Sequence, residues 1–201
     1  KLLGGSTYSS LKGSDTSYDL KVEMTDSGYG YLGGVTGFNS TNGSVIECAT
    51  GKWYIHGYNI VQNAVIGGVV GQNESEKTVQ YNVNCAYVKR YIWVSGYEEN
   101  SASRNNRGTD KYYVGGVIGE QQNRTSGGWV IDSCVNYGAV EDENSHNSGG
   151  IIARWRNNGG TVSNCFNYGV LYTNMQAASQ GTVGGIIGFI NEMTNGKDVN
   201  I

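Results

Sequence analysis

Val114-Gly115-Gly116-Val117-Ile118-Gly119 decides the fold of this chain, because the chain writes it five times. The other copies are Leu32-Gly33-Gly34-Val35-Thr36-Gly37, Ile66-Gly67-Gly68-Val69-Val70-Gly71, Ser148-Gly149-Gly150-Ile151-Ile152-Ala153 and Val183-Gly184-Gly185-Ile186-Ile187-Gly188. Leu3-Gly4-Gly5 reads as a degenerate earlier copy. Gly33 and Gly67 are 34 residues apart, Gly67 and Gly115 are 48, Gly115 and Gly149 are 34, and Gly149 and Gly184 are 35. A near-constant period with one expanded copy is the mark of a solenoid whose extra residues leave as a loop. The extra length falls near 96–110, which has no apolar periodicity.

Working outward, a second element follows four of the copies. It reads Val45-Ile46-Glu47-Cys48, Asn82-Val83-Asn84-Cys85, Ile131-Asp132-Ser133-Cys134 and Val162-Ser163-Asn164-Cys165. The last two continue alike as Cys134-Val135-Asn136-Tyr137-Gly138 and Cys165-Phe166-Asn167-Tyr168-Gly169. A third apolar stretch follows, Ala139-Val140 and Val170-Leu171-Tyr172, and is longer earlier as Trp53-Tyr54-Ile55 and Tyr91-Ile92-Trp93-Val94. About three short β segments per repeat, with no competing helical period, predict an all-β parallel β-helix or β-solenoid of about 34-residue repeats. The irregular repeat length favours a right-handed coil. Residues 1–29 read as an N-terminal cap or degenerate coil, and 30–201 as the repeats.

The residue types suit such a coil. Equivalent positions stack at the interstrand distance, so inward columns want small or β-branched residues on copies of themselves. Paired Gly removes side chains where the chain bends or backbones approach. Asn beside a turn satisfies backbone groups. The chain has 32 Gly and no Pro in 201 residues, which fits a ladder that uses most backbone N–H groups.

Apolar-Gly-Gly-Ile/Val-x-Gly, then Val/Ile-x-Asn-Cys, then Asn-Tyr-Gly-x-Val resembles the GLUG-type repeats of large bacterial surface proteins, including adhesins and non-catalytic regions of IgA-protease-like proteins. The closest stretches are Tyr113–Val140 and Ser148–Tyr172. The resemblance implies a bacterial cell-surface or secreted protein with a β-helical or β-roll stalk. The chain begins at Lys1 without Met and stops at Ile201 within a repeat, which reads as an excised piece of a longer protein.

The chemistry-bearing residues point away from catalysis. Net charge is −3 without a basic stripe, which disfavours nucleic acid. No apolar stretch approaches a membrane span, so membrane insertion by this segment is not expected. Cys48, Cys85, Cys134 and Cys165 are placed at one repeat position, predicting an inward stack of small thiols. Disulfides between neighbouring coils are the alternative, for which in-register stacking must bend. No CxxC spacing appears and only His56 and His146 are present, so no metal or cofactor is expected. Glu141-Asp142-Glu143 suits calcium or, more simply, a solvated turn. Aligned acidic positions do not repeat, so no paired-carboxylate glycosidase site is signalled.

The aromatics carry the binding expectation. Trp53, Tyr54, Tyr91 and Trp93, with Tyr87, are read as an exposed platform suited to a host glycan or host surface protein. Arg154, Trp155 and Arg156 form a weaker group. The resulting expectation is a non-enzymatic extracellular repeat domain, a stalk or adhesion module. A carbohydrate-binding module and a carbohydrate-active β-helix enzyme fragment are the alternatives.

Overall fold

The computed structural model describes residues 20–24, 30–40, 42–51, 53–58, 64–91, 112–122, 129–143, 147–156, 159–174, 181–191 and 199–201. The predicted insertion near 96–110 lies outside them. Every strand pairing among the described residues is parallel, and each sheet takes one strand from each successive coil. The chain is therefore a parallel β-solenoid, as its repeats predict.

Among the described residues, five sheets run along it. Sheet A stacks Leu20–Met24, Trp53–Tyr58, Tyr87–Tyr91, Val140–Glu143 and Leu171–Asn174. Sheet B stacks Gly30–Gly33, Ala64–Gly67, Tyr112–Gly115, Asn147–Gly149 and Thr182–Gly184. Sheet C stacks Thr36–Asn39, Val70–Asn73, Ile118–Gln122, Ile152–Arg156 and Ile187–Ile190. Sheet D stacks Val45–Ile46, Val79–Gln80, Trp129–Asp132, Gly160–Ser163 and Val199–Asn200. Sheet E stacks Val83–Asn84, Val135–Asn136 and Phe166–Asn167. The sequence pattern predicts about three segments per repeat, whereas the coil has up to five. The difference lies at sheets D and E, where several strands are only two residues long and show no period of their own.

The five Gly-Gly copies stack in register, Gly33 beside Gly67, Gly115, Gly149 and Gly184. The two glycines do different work. A Cβ on Gly115 would lie 1.9 Å from the Ile118 carbonyl oxygen, so the first Gly is required by the tight bend from sheet B to sheet C. A Cβ on Gly116 would lie 2.1 Å from the Gly150 oxygen and 2.5 Å from the Asn136 amide, so the second is required by contact across the interior.

That amide belongs to a buried ladder. Thr50 Oγ1 donates to Asn84 Oδ1 (2.6 Å), Asn84 Nδ2 to Asn136 Oδ1 (2.8 Å), and Asn136 Nδ2 to Asn167 Oδ1 (2.8 Å). Each Asn also accepts from the backbone N–H two residues on, as Asn136 does from Gly138 at 3.1 Å, and donates to that residue's carbonyl. A buried amide with all its groups occupied avoids the penalty of an unmet donor or acceptor. A second ladder runs Asn39 to Asn73 (2.6 Å) to Gln121 (2.7 Å).

Apolar columns fill the rest. Ile55, Val88 and Val140 stack in sheet A, and Val70, Ile118 and Ile152 in sheet C, all fully buried. Each such side chain contributes roughly 1.5–3 kcal/mol by burial.

Candidate functional site

The corner between sheets D and E sets the register of the cysteines. Glu47, Tyr81, Ser133 and Asn164 all have positive φ, between 50° and 54°. They are equivalent in the pairings Val45 with Val79, Ile131 with Val79, and Ile131 with Val162. The residue after each is therefore Cys48, Asn82, Cys134 and Cys165. Asn82, not Cys85, holds the second place in this column. Its Oδ1 accepts from the Cys48 N–H (3.1 Å), and its Nδ2 donates to the Val45 carbonyl (2.9 Å) and lies 3.9 Å from Cys134 Sγ. The expected four-thiol stack is thus three thiols and an amide. Cys134 is fully buried, and Cys48 and Cys165 pack half-buried against the same core. Cys85 pairs instead with the column of Tyr137 and Tyr168, since Asn84 lies beside Asn136 and Asn136 beside Asn167.

The expected aromatic platform divides. Trp53 is inward, 8% exposed, packed with Ile55, Val88 and Val140 in the core. Strand alternation explains this: Ile55 is inward, so Trp53 two residues earlier is too. Tyr54 faces the other way, half-buried, with its ring 5.5 Å from Tyr87 and 5.0 Å from His56. Tyr91 pairs with Tyr58 rather than with Trp53 or Tyr54. Trp93 lies outside the described residues. Trp155 of the weaker group is fully buried beside Trp129 in the core cluster.

A different aromatic surface is present, which sequence reading missed. Along one coil, Phe166, Tyr168 and Tyr172 are 53%, 59% and 55% exposed. Tyr137 of the preceding coil stacks on Tyr168, with centroids 5.2 Å apart and planes 10° apart. Phe166 is parallel to Tyr168 within 16° at 6.3 Å. The half-buried, inward Asn167 between them fixes both as outward, so the rings form a shelf. Phe166-Asn167-Tyr168 itself was the available signal: an inward Asn at a ladder position leaves the flanking rings outside.

Several charged groups are engaged. Asp132 accepts from Ser163 Oγ (2.6 Å), Asn164 Nδ2 (2.9 Å), Ser133 Oγ (3.0 Å) and Gln80 Nε2 (3.3 Å). These donors, Ser163 foremost, hold its carboxyl below the ordinary value of 3.8. Lys89 bridges Glu141 at 2.9 Å. Asp142 is fully buried and accepts from Ser148 Oγ at 3.2 Å, in a strand rather than the expected solvated turn. Where sheets B and C meet, Arg154 lies over the Tyr113 ring (4.8 Å to the centroid), donates to its hydroxyl, and reaches Glu120 Oε1 at 3.5 Å. Burial pushes the Tyr113 phenol up to about 12. Among the described residues no three His, Cys, Asp or Glu converge as a metal set.

Compared with known proteins, the chain matches no family model, no curated sequence and no solved structure.

Proposed function

We propose that this chain is a non-enzymatic extracellular repeat domain, serving as stalk and adhesion module of a bacterial surface protein. The observation that carries the reading is which residues recur. Positions identical or closely alike from coil to coil are those that make the stack: the Gly pairs, the Asn ladder and the Val/Ile columns. Outward positions change at nearly every coil, as in the column His56, Lys89, Glu141, Tyr172. Repetition of structure with variation of surface suits a rod that presents contacts at a distance. The resemblance to GLUG-type repeats points the same way.

The contact surface in this reading is the shelf of Tyr137, Phe166 and Tyr168, with the exposed Tyr172 farther along the same coil. Flat exposed rings favour a sugar ring or an apolar protein patch, and clustered exposed aromatics mark interaction sites. The test is a screen on glycans and host surface proteins, with the chain beside its Phe166→Ala/Tyr168→Ala/Tyr172→Ala variant. Specific binding lost in the folded variant supports the reading. Binding that persists undiminished removes the shelf from it.

The alternative reading is a carbohydrate-active β-helix enzyme fragment, favoured by one observation, the meeting of Glu120, Arg154 and Tyr113. Against it, Glu120 is only 2% exposed and its carboxylate faces the Arg154 guanidinium. Polysaccharide cleavage by the chain that is lost in Glu120→Gln would establish this alternative.

A further inference from the structure

We propose that Cys134 and Cys165 form a disulfide that clasps two successive coils, and that they are the one pair of cysteines in this chain placed to do so. The inference rests on the register rather than on the proposed function. In the inward column the order is Cys48, Asn82, Cys134, Cys165. Asn82 stands between Cys48 and Cys134, hydrogen-bonded toward both coils. Cys85 belongs to the outward column of Tyr137 and Tyr168, on the other face of the wall. Only Cys134 and Cys165 are cysteines on adjacent coils in one column.

The geometry is close to what the bond needs. Stacked coils hold equivalent Cα atoms about 4.8 Å apart, within the ~4.4–6.8 Å span of disulfides. The Cβ atoms need to close by a few tenths of an ångström to meet the usual ~3.5–4.5 Å. To do this, Cys134 Sγ turns from the Val79 and Asp132 carbonyl oxygens, 3.8 and 3.4 Å away, toward Cys165. Each cysteine follows a left-handed residue, Ser133 or Asn164, and lies between the strands of sheets D and E rather than within them. The Cys165 thiol already leans toward its neighbour's coil, 3.9 Å from the Ile131 carbonyl oxygen. The neighbouring thiol lowers the pKa of Cys165 and, together with burial, raises that of Cys134.

The roles follow from access and acidity. Cys165 is half-buried and Cys134 fully buried. With a small-molecule disulfide such as oxidised glutathione as oxidant, the Cys165 thiolate attacks one sulfur and releases one glutathione thiolate. Cys134 then attacks the Cys165 sulfur of the mixed disulfide. Its proton passes to the second departing glutathione. Two cysteine thiols are oxidised and one glutathione disulfide is reduced to two thiols.

The experiment treats the full chain, and a Cys48→Ser/Cys85→Ser variant, with oxidised glutathione, then maps linked peptides and counts residual thiols after unfolding. The expected result is joint loss of the Cys134 and Cys165 thiols, one linked peptide pair, and a higher thermal midpoint from closing a long loop. A reductant reverses all three. In Cys134→Ser, Cys165 halts as a lasting glutathione adduct. Asn82 shows that the column accepts a polar residue; should Cys134→Ser fail to fold, the linked-peptide map of the Cys48→Ser/Cys85→Ser chain decides alone. Both thiols still alkylatable, or a glutathione adduct persisting on Cys165 with Cys134 present, would overturn the proposal.

Discussion

Asn84 donates its side-chain amide to Asn136 Oδ1 at 2.8 Å across consecutive coils, although the two residues are 52 positions apart in sequence. Neither is exposed at all. This contact ties the longest repeat to its successor.

Removing the middle rung tests the ladder. Asn136→Ala takes the inter-coil acceptor from Asn84 and the inter-coil donor from Asn167, and leaves the Gly138 N–H only its bond to the Asn84 carbonyl at 3.2 Å. The expected loss is about 2–4 kcal/mol in urea unfolding, from unmet buried polar groups and a small void. Asn164→Ala, on the exposed corner, is the comparison and changes far less, apart from the strain of its left-handed backbone.

The second glycine of the pair gives a position-dependent result. A Cβ at Gly116 meets a carbonyl at 2.1 Å, whereas at Gly185 nothing lies within 4 Å. Gly116→Ala is expected to destabilise by about 1–3 kcal/mol or more. Gly185→Ala should stay within roughly 0.5 kcal/mol of the parent. Thermal melts of both variants check this, and equal losses would contradict the packing described.

Two aromatic substitutions separate core from surface. Trp53→Ala removes a buried side chain and should lower stability by about 3–5 kcal/mol. Tyr168→Ala, at an exposed ring, should shift stability by less than about 1 kcal/mol. Calorimetry on the two variants would reveal any inversion of that order.

Asp132 makes stability depend on acid. Its folded pKa lies below the unfolded value of 3.8 because four donors favour the carboxylate. The contribution is therefore fully present above the unfolded pKa and fades as pH falls through the lower folded value. Asp132→Asn should lower stability at neutral pH, converge with the parent in acid, and so flatten the acid side of the stability profile. An unaltered acid limb in denaturant titrations would remove Asp132 as its source.

Much of this architecture was readable before any coordinates. Gly33, Gly67, Gly115, Gly149 and Gly184 align by eye and stack in fact, because a Cβ at any of them would meet the carbonyl oxygen three residues on at 1.8–2.1 Å. The cysteines misled for a physical reason. Asn82-Val83-Asn84-Cys85 imitates Val162-Ser163-Asn164-Cys165, yet the corner that fixes the register is Tyr81, a left-handed residue with no glycine to announce it. Trp53 was misplaced although its parity with Ile55 was visible. The aromatic shelf was hidden because Phe166 and Tyr168 look like core residues until Asn167 is known to be the inward one.

The amides of the ladder all point one way. Thr50 gives to Asn84, Asn84 to Asn136, and Asn136 to Asn167, and the second ladder, Asn39 to Asn73 to Gln121, has the same sense. Dipoles so aligned add along the axis and polarise one another. A coil turned end for end would set donor against donor, while a duplicated coil joined head to tail would find its acceptor waiting. The grammar of this interior thus lets evolution change the length of the rod by copying whole turns, and forbids it to reverse one.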